Sequence, residues 1–77
     1  MNKTISPLAL KLRRAEYKSG TRVELVSMND PYTELKPGDK GTVSFVDDIG
    51  TVFVDWETGS GLGAAYGEDR IKPCQTP

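Results

Sequence analysis

The sequence KGTVSFVDDIGTVFVDWETG, residues 40–59, gives the clearest indication of secondary structure in the chain. It holds two runs of β-branched and aromatic residues around a turn-forming segment, DDIG, and this arrangement predicts a β-hairpin. A turn centred on Asp48 and Ile49 pairs Val43 with Val54 and Phe45 with Val52. The inward face then holds Val43, Phe45, Val52, Val54 and Trp56, whereas Ser44, Val46 and Phe53 face outward. A bulge near the turn would exchange Phe45 and Val46.

Segments on both sides of the hairpin predict three further strands. In the first, which starts at Thr21, Val23 and Leu25 alternate with polar residues. A long loop over residues 27–39 separates this strand from the hairpin. After the hairpin, residues 61–65 predict a short fourth strand whose small side chains allow close backbone approach. A tight turn at residues 66–69 precedes a closing strand at 70–72.

A short amphipathic helix is predicted before the first strand, over residues 6–17. Ser6 suits the N-cap position and Pro7 the first helical position. The spacing places Ile5, Leu8, Leu12 and Ala15 on one face and Lys11, Arg14 and Lys18 on the other. Because so short a helix is marginal alone, we expect its apolar face to pack on another element.

The order of these elements predicts an all-β fold, a small five-stranded SH3-like barrel preceded by a short N-terminal α-helix. The chain is long enough for one hydrophobic core only. We therefore divide it into an N-terminal amphipathic helix (1–19), the barrel (20–72) and a flexible tail (73–77). Closure of the sheet would remove edges that invite aggregation.

Composition argues against histidine-dependent enzymes. Catalysis by carboxylates stays open on composition alone, but a catalytic pair needs a cleft and the chain is small for one. The chain has no histidine, which is the usual general base and the commonest zinc ligand. Its single cysteine, Cys74, lies in a polar tail, where we expect no role for it. The glycines of residues 59–63 are not followed by the Gly-Lys-Ser/Thr of a phosphate-binding loop. We expect no cofactor, no metal and no membrane contact, and we expect a cytoplasmic protein because no long apolar segment or signal peptide is present.

Paired acids occur at Asp47-Asp48 and Glu68-Asp69. Aspartate in a hairpin turn commonly hydrogen-bonds the local backbone, so we interpret the first pair as turn chemistry rather than a metal site. We interpret Asp69 and Arg70 as a structural pair that closes the barrel.

Charge is distributed unevenly along the chain. Residues 1–20 carry five basic groups and one acidic group, a net charge of +4, whereas residues 21–77 carry five basic and ten acidic groups, a net charge of -5. This split is typical of a basic arm that binds nucleic acid, or of one that lies on an acidic body.

Several motifs resemble a family of small bacterial proteins, the domains of unknown function numbered 4314. The resemblance lies in GTRVELVSMNDPYTELKPGDKGTV (20–43), VDDIGTVFVDWETGSGLG (46–63) and EDR (68–70), and it leaves the N-terminal helix outside. It implies the barrel fold and a setting on phages or conjugative elements, but no activity. PGDKGTV (37–43) is also similar to the KOW type of SH3-like module, which binds RNA or protein.

We predict a non-catalytic module that binds a protein partner, as an interaction or inhibitor protein with an acidic barrel surface. Such a surface could also mimic nucleic acid in a basic groove. The predicted partner-binding residues are Tyr32, Phe53, Tyr66, Asp47, Asp48 and Glu57. Trp56 could join them, but its phase with Val52 and Val54 favours the core.

The alternative prediction is nucleic-acid binding by the basic helix, with the barrel as a scaffold. Its residues are Lys11, Arg13, Arg14 and Lys18. A homodimer is also open, because Leu8, Leu12 and Phe53 could be covered within one chain or by a second copy.

Overall fold

The computed structural model describes residues 4–29 and 32–74. They form one helix and five strands, so the predicted all-β class with a short helix in front is confirmed. The elements are α1 (Pro7–Glu16), β1 (Arg22–Ser27), β2 (Lys40–Val46), β3 (Val52–Trp56), β4 (Gly63–Ala64) and β5 (Arg70–Pro73). Predictions for residues 1–3 of the N-terminal segment, for Asp30 and Pro31 in the first loop, and for residues 75–77 of the tail lie outside the described residues.

The strands form one antiparallel sheet in the order β4-β3-β2-β1-β5. Its edges are β4 and β5, and no backbone pairing joins them in the described part of the chain. The sheet is therefore open, and the predicted closure into a barrel is wrong. The physical reason is the length of β4, whose two residues pair with Val52 and Phe53 before the chain turns away at Tyr66.

A β-bulge interrupts the hairpin of β2 and β3. Val43 pairs with Val54 as predicted, but the register then shifts, and Phe45 pairs with Phe53 and Val46 with Val52. The extra residue is Ser44, which exchanges the faces of the next two side chains. Phe45 is 53% exposed, and Val46 packs against the core. The predicted pairing of Phe45 with Val52, and the inward position of Phe45, are therefore wrong, whereas the alternative in which a bulge exchanges Phe45 and Val46 is confirmed.

The hydrophobic core lies on the face of the sheet opposite to the exposed Phe45 ring. Its buried side chains come from four strands and from two positions outside them: Tyr17, Val23, Leu25, Leu35, Val43, Val52, Val54, Trp56 and Ala64. Trp56 is 4% exposed, and its indole Nε1 donates to the carbonyl of Leu62 at 2.8 Å. The interpretation of Trp56 as a core residue is thus confirmed.

Helix α1 begins as predicted but packs through a different face. The Ser6 side chain accepts a hydrogen bond from the Ala9 amide at 3.1 Å, which caps the helix. Leu8 and Leu12 are 67% and 61% exposed, so these two residues of the predicted apolar face do not pack on the sheet, whereas Ile5 lies against Gly50 of the hairpin turn. Arg13 and Tyr17 lie inward instead, because the Arg13 guanidinium binds the hairpin backbone and the Tyr17 ring fills the core. None of the helical residues in the described ranges forms a segment long and apolar enough to cross a membrane.

Candidate binding surfaces

Two stacked aromatic rings lie on the outer face of the sheet. The ring centroids of Phe45 and Phe53 are 4.8 Å apart, and the ring planes differ by 17°. Phe53 is half-buried, whereas Phe45 is open to solvent. We call Phe45 and Phe53 the aromatic pair.

Local sequence explains why both rings point outward. The bulge at Ser44 turns Phe45 to the face that Phe53 already occupies. Gly63 on β4 pairs with Phe53, and a Cβ added at Gly63 would lie 3.2 Å from two carbons of that ring. The glycine therefore makes room for Phe53 beside the sheet edge, as the small residues of this segment predicted.

The acidic residues predicted to bind a partner have separate local roles. One carboxylate oxygen of Asp47 accepts hydrogen bonds from the amides of Ile49 and Thr51 at 3.1 and 2.9 Å, which is the predicted turn chemistry. Asp48 is exposed and forms an ion pair with Arg14 at 2.8 Å. Glu57 is exposed and pairs with Arg22.

The second acidic pair holds two loops together. Asp69 accepts hydrogen bonds from the backbone amides of Asn29 and Ala65 at 2.8 and 2.9 Å. Glu68 accepts one from the Asn29 side chain at 3.0 Å. The carboxylate of Asp69 therefore joins the end of β1 to the turn before β5, and the predicted bond between Asp69 and Arg70 does not occur among the described residues.

A second surface is the cleft between α1 and the turn that precedes β5, which we call the Arg13 cleft. Its volume is about 410 Å³. It is lined by residues of α1, β1 and the chain from Tyr66 to β5, namely Arg13, Val26, Tyr66, Gly67, Glu68, Asp69, Arg70 and Ile71. Arg13 donates through Nε to the carbonyl of Gly50 at 2.6 Å.

The Arg13 guanidinium lies close to two tyrosine rings. Its central carbon is 5.5 Å from the ring centroid of Tyr17 and 5.4 Å from that of Tyr66, which is the range of cation–π contacts. The Tyr17 hydroxyl donates to the carbonyl of Ile71 at 3.2 Å. Burial raises the pKa of Tyr17, the charge of Glu16 raises it further, and Arg13 opposes both.

The remaining predicted residues are dispersed. Tyr32 is exposed in the first loop, whereas Tyr66 is half-buried in the Arg13 cleft. The predicted nucleic-acid surface is divided, because Arg13 lies inward and Arg14 is paired with Asp48. Lys11 and Lys18 are exposed, and nucleic-acid binding through the helix stays a prediction. Within residues 4–29 and 32–74, no three metal-ligating side chains come together.

A comparison of the chain with models of known protein families gives a match. The model of one family, described as Domain of unknown function (DUF4314), matches residues 6–74. The chain belongs to this family. No curated protein and no solved structure matches it, so the likeness to SH3-like barrels stays a prediction.

The DUF4314 match covers both surfaces, since the aromatic pair and the Arg13 cleft lie within residues 6–74. It also includes α1, which the resemblance of the sequence motifs left outside. Sequence reasoning missed the inward role of Arg13. The available signal was its spacing of four residues from Tyr17, which puts both side chains on one helical face.

Proposed function

We propose that this DUF4314 domain is a non-catalytic module that binds a protein partner through the aromatic pair. The observation that carries this proposal is the bulge at Ser44, which places Phe45 in solvent instead of in the core. A half-exposed phenylalanine stacked on a second ring leaves apolar surface in water at a cost in free energy. A partner that covers both rings recovers that cost.

The chemistry of the pair and its surroundings defines the partner. Aromatic side chains are enriched in the cores of protein interfaces and often supply most of the binding energy. Asp55 follows Phe53 by two positions on the same face of β3 and is exposed. The segment 21–77 has a net charge of -5. We therefore propose a protein partner with an apolar pocket and basic residues around it.

A non-catalytic role is supported by the hydrogen bonds and ion pairs that four carboxylates form within the chain. Asp47 and Asp69 bind backbone amides, and Asp48 and Glu57 pair with arginines. General acid–base catalysis needs a titratable group that is poised toward a substrate. The sequence has no histidine to supply one.

We also propose that the domain acts in the cytoplasm and is carried by a phage or another mobile element, where it could inhibit a host protein. The motif resemblance supports the genetic setting. The acidic surface supports a basic host protein as target, because complementary charge accelerates association.

A paired comparison of two variants tests the proposal. Phe45→Ser removes an exposed apolar side chain from the aromatic pair, and Leu12→Ser removes one of similar exposure from α1. Each variant and the unaltered domain are used as bait in lysate of the natural host, and captured proteins are quantified by mass spectrometry. We expect a partner that the unaltered domain and Leu12→Ser retain and that Phe45→Ser loses by about tenfold or more, since a buried aromatic anchor contributes about 2 kcal/mol.

Equal capture by all three baits would contradict the proposal, and so would loss confined to Leu12→Ser. The second result would assign partner binding to the exposed face of α1. Far-ultraviolet circular dichroism of both variants checks that the sheet is unchanged.

A further inference from the structure

The Arg13 cleft contains a cation whose hydrogen-bonding capacity is incompletely used. In residues 4–29 and 32–74, Nη2 of Arg13 is buried and has no hydrogen-bond partner. Buried polar atoms in native proteins are almost always paired, and an unpaired one calls for an explanation. A guanidinium carries five N–H donors in a fixed planar geometry and no acceptor, so its unused donors need acceptor oxygens.

The contacts around Arg13 hold its side chain in place but leave its Nη2 atom without a hydrogen-bond acceptor. Nε donates to the Gly50 carbonyl, and the central carbon of the guanidinium lies over the rings of Tyr17 and Tyr66. Contacts with ring faces do not replace the in-plane acceptor that an N–H group prefers. Arg13 and Tyr66 both line the cleft, so an acceptor oxygen in the cleft would lie beside the guanidinium.

We propose that the Arg13 cleft binds the carboxylate of a small organic acid with an apolar body. Arg13 would donate to the carboxylate, and Arg70, which lines the same cleft, would add a second positive charge. The cleft volume of about 410 Å³ falls in the range of small-molecule sites.

The other lining residues select the class of anion. Glu68 and Asp69 line the cleft and repel a dianion such as phosphate more strongly than a monocarboxylate. Val26 and Ile71 offer apolar surface to the body of the ligand. One chemistry, a carboxylate beside an apolar group, is shared by a free aromatic or aliphatic acid and by the C-terminus of a peptide.

Titration followed by ¹H–¹⁵N NMR tests the proposal on the full chain. The probes are benzoate for a free acid, N-acetyl-leucine for a peptide C-terminus, and phosphate and chloride at equal ionic strength. We expect saturable shifts of the Arg13 Nε–H signal and of the amides at 67–71 with benzoate or N-acetyl-leucine. The tighter of these two probes identifies the source of the carboxylate.

Variants connect the shifts to the cleft. Arg13→Lys keeps the positive charge but loses the planar guanidinium, and Arg70→Gln removes the second positive charge of the cleft without a substitution in α1. We expect each variant to bind the carboxylate about tenfold more weakly. Arg14→Gln is the matched control, because Arg14 is the adjacent arginine and pairs with Asp48 outside the cleft. It should bind like the unaltered protein.

Shifts that never saturate, shifts that are equal in Arg13→Lys, Arg70→Gln and Arg14→Gln, or tighter binding of phosphate than of either carboxylate would each overturn the proposal. Phe45→Ser leaves this cleft intact. Loss of the protein partner in that variant with carboxylate binding retained would separate this site from the proposed function of the aromatic pair.

Discussion

At the scale of single residues, the sheet depends on one close approach of two backbones. Gly41 on β2 lies opposite Trp56 on β3. A Cβ added at Gly41 would lie 2.8 Å from the Asp55 carbonyl oxygen and 3.0 Å from the Trp56 Cα. Both atoms belong to the backbone, so they cannot move without displacing the strand.

We therefore expect Gly41→Ala to lower the free energy of unfolding by about 1–3 kcal/mol, the usual cost of overpacking. Gly61→Ala is the matched control, because nothing lies within 4 Å of a Cβ at Gly61 and its backbone needs no glycine-specific angles. Urea denaturation of both variants measures the difference. An equal effect of the two substitutions would refute the close approach.

At the scale of elements, the features predicted correctly from the sequence are those that depend on interactions between residues close together in the chain. The Ser6 cap, the Asp47 turn and the alternation of Val52, Val54 and Trp56 act over a few residues, and all three are confirmed. The side chain that turns outward, Phe45, was assigned wrongly, because a bulge at Ser44 depends on how two strands pair. Alternation within one strand does not reveal that pairing.

The docking of α1 was missed for a similar reason. Helical periodicity favoured Leu8 and Leu12 as the packed face, yet tertiary contacts chose Arg13 and Tyr17. Those contacts involve Gly50 and Ile71, which are distant along the chain. The candidate surfaces therefore could be predicted only in part. Phe53 and Tyr66 were predicted as binding residues, whereas Phe45 was assigned to the core and Arg13 to a nucleic-acid surface.

The contact between Tyr17 and β5 predicts a pH dependence. Tyr17 is buried, its hydroxyl donates to the Ile71 carbonyl, and its pKa is raised by burial. A raised pKa in the folded state means that folding favours the neutral phenol. Its stabilisation is complete below the pKa of an unfolded tyrosine, about 10, and is lost as pH rises through the folded pKa.

We expect Tyr17→Phe to cost about 1 kcal/mol at neutral pH through the lost hydrogen bond. The difference in the free energy of unfolding between the unaltered protein and Tyr17→Phe should shrink above about pH 10. The Tyr17 phenol then ionises more readily in the unfolded state than in the folded state, whereas phenylalanine does not ionise. Urea denaturation of both proteins from neutral to alkaline pH measures the difference. A constant difference across that range would refute the coupling.

At the scale of the whole molecule, the charge asymmetry of the sequence is partly satisfied within the chain. Helix α1 lies against the hairpin turn, where Arg14 pairs with Asp48 and Arg13 binds the Gly50 carbonyl. The pair of Arg14 and Asp48 is exposed, and such pairs contribute little to stability. The apolar side chains of Leu8 and Leu12 stay in solvent, and a homodimer through them stays a prediction that light scattering at two concentrations tests.

The two faces of the open sheet carry different side chains. The inner face holds the core, and the outer face presents the aromatic pair beside the exposed carboxylate of Asp55. On the proposed function, the outer face, rather than α1, contacts the protein partner.

Photo-cross-linking in living host cells tests that claim most directly. A benzophenone amino acid replaces Phe45 in one protein and Leu12, another exposed side chain, in a second. The account predicts a covalent adduct with one cellular protein from position 45 and none from position 12. An adduct from position 12 alone, or from neither position, would contradict it.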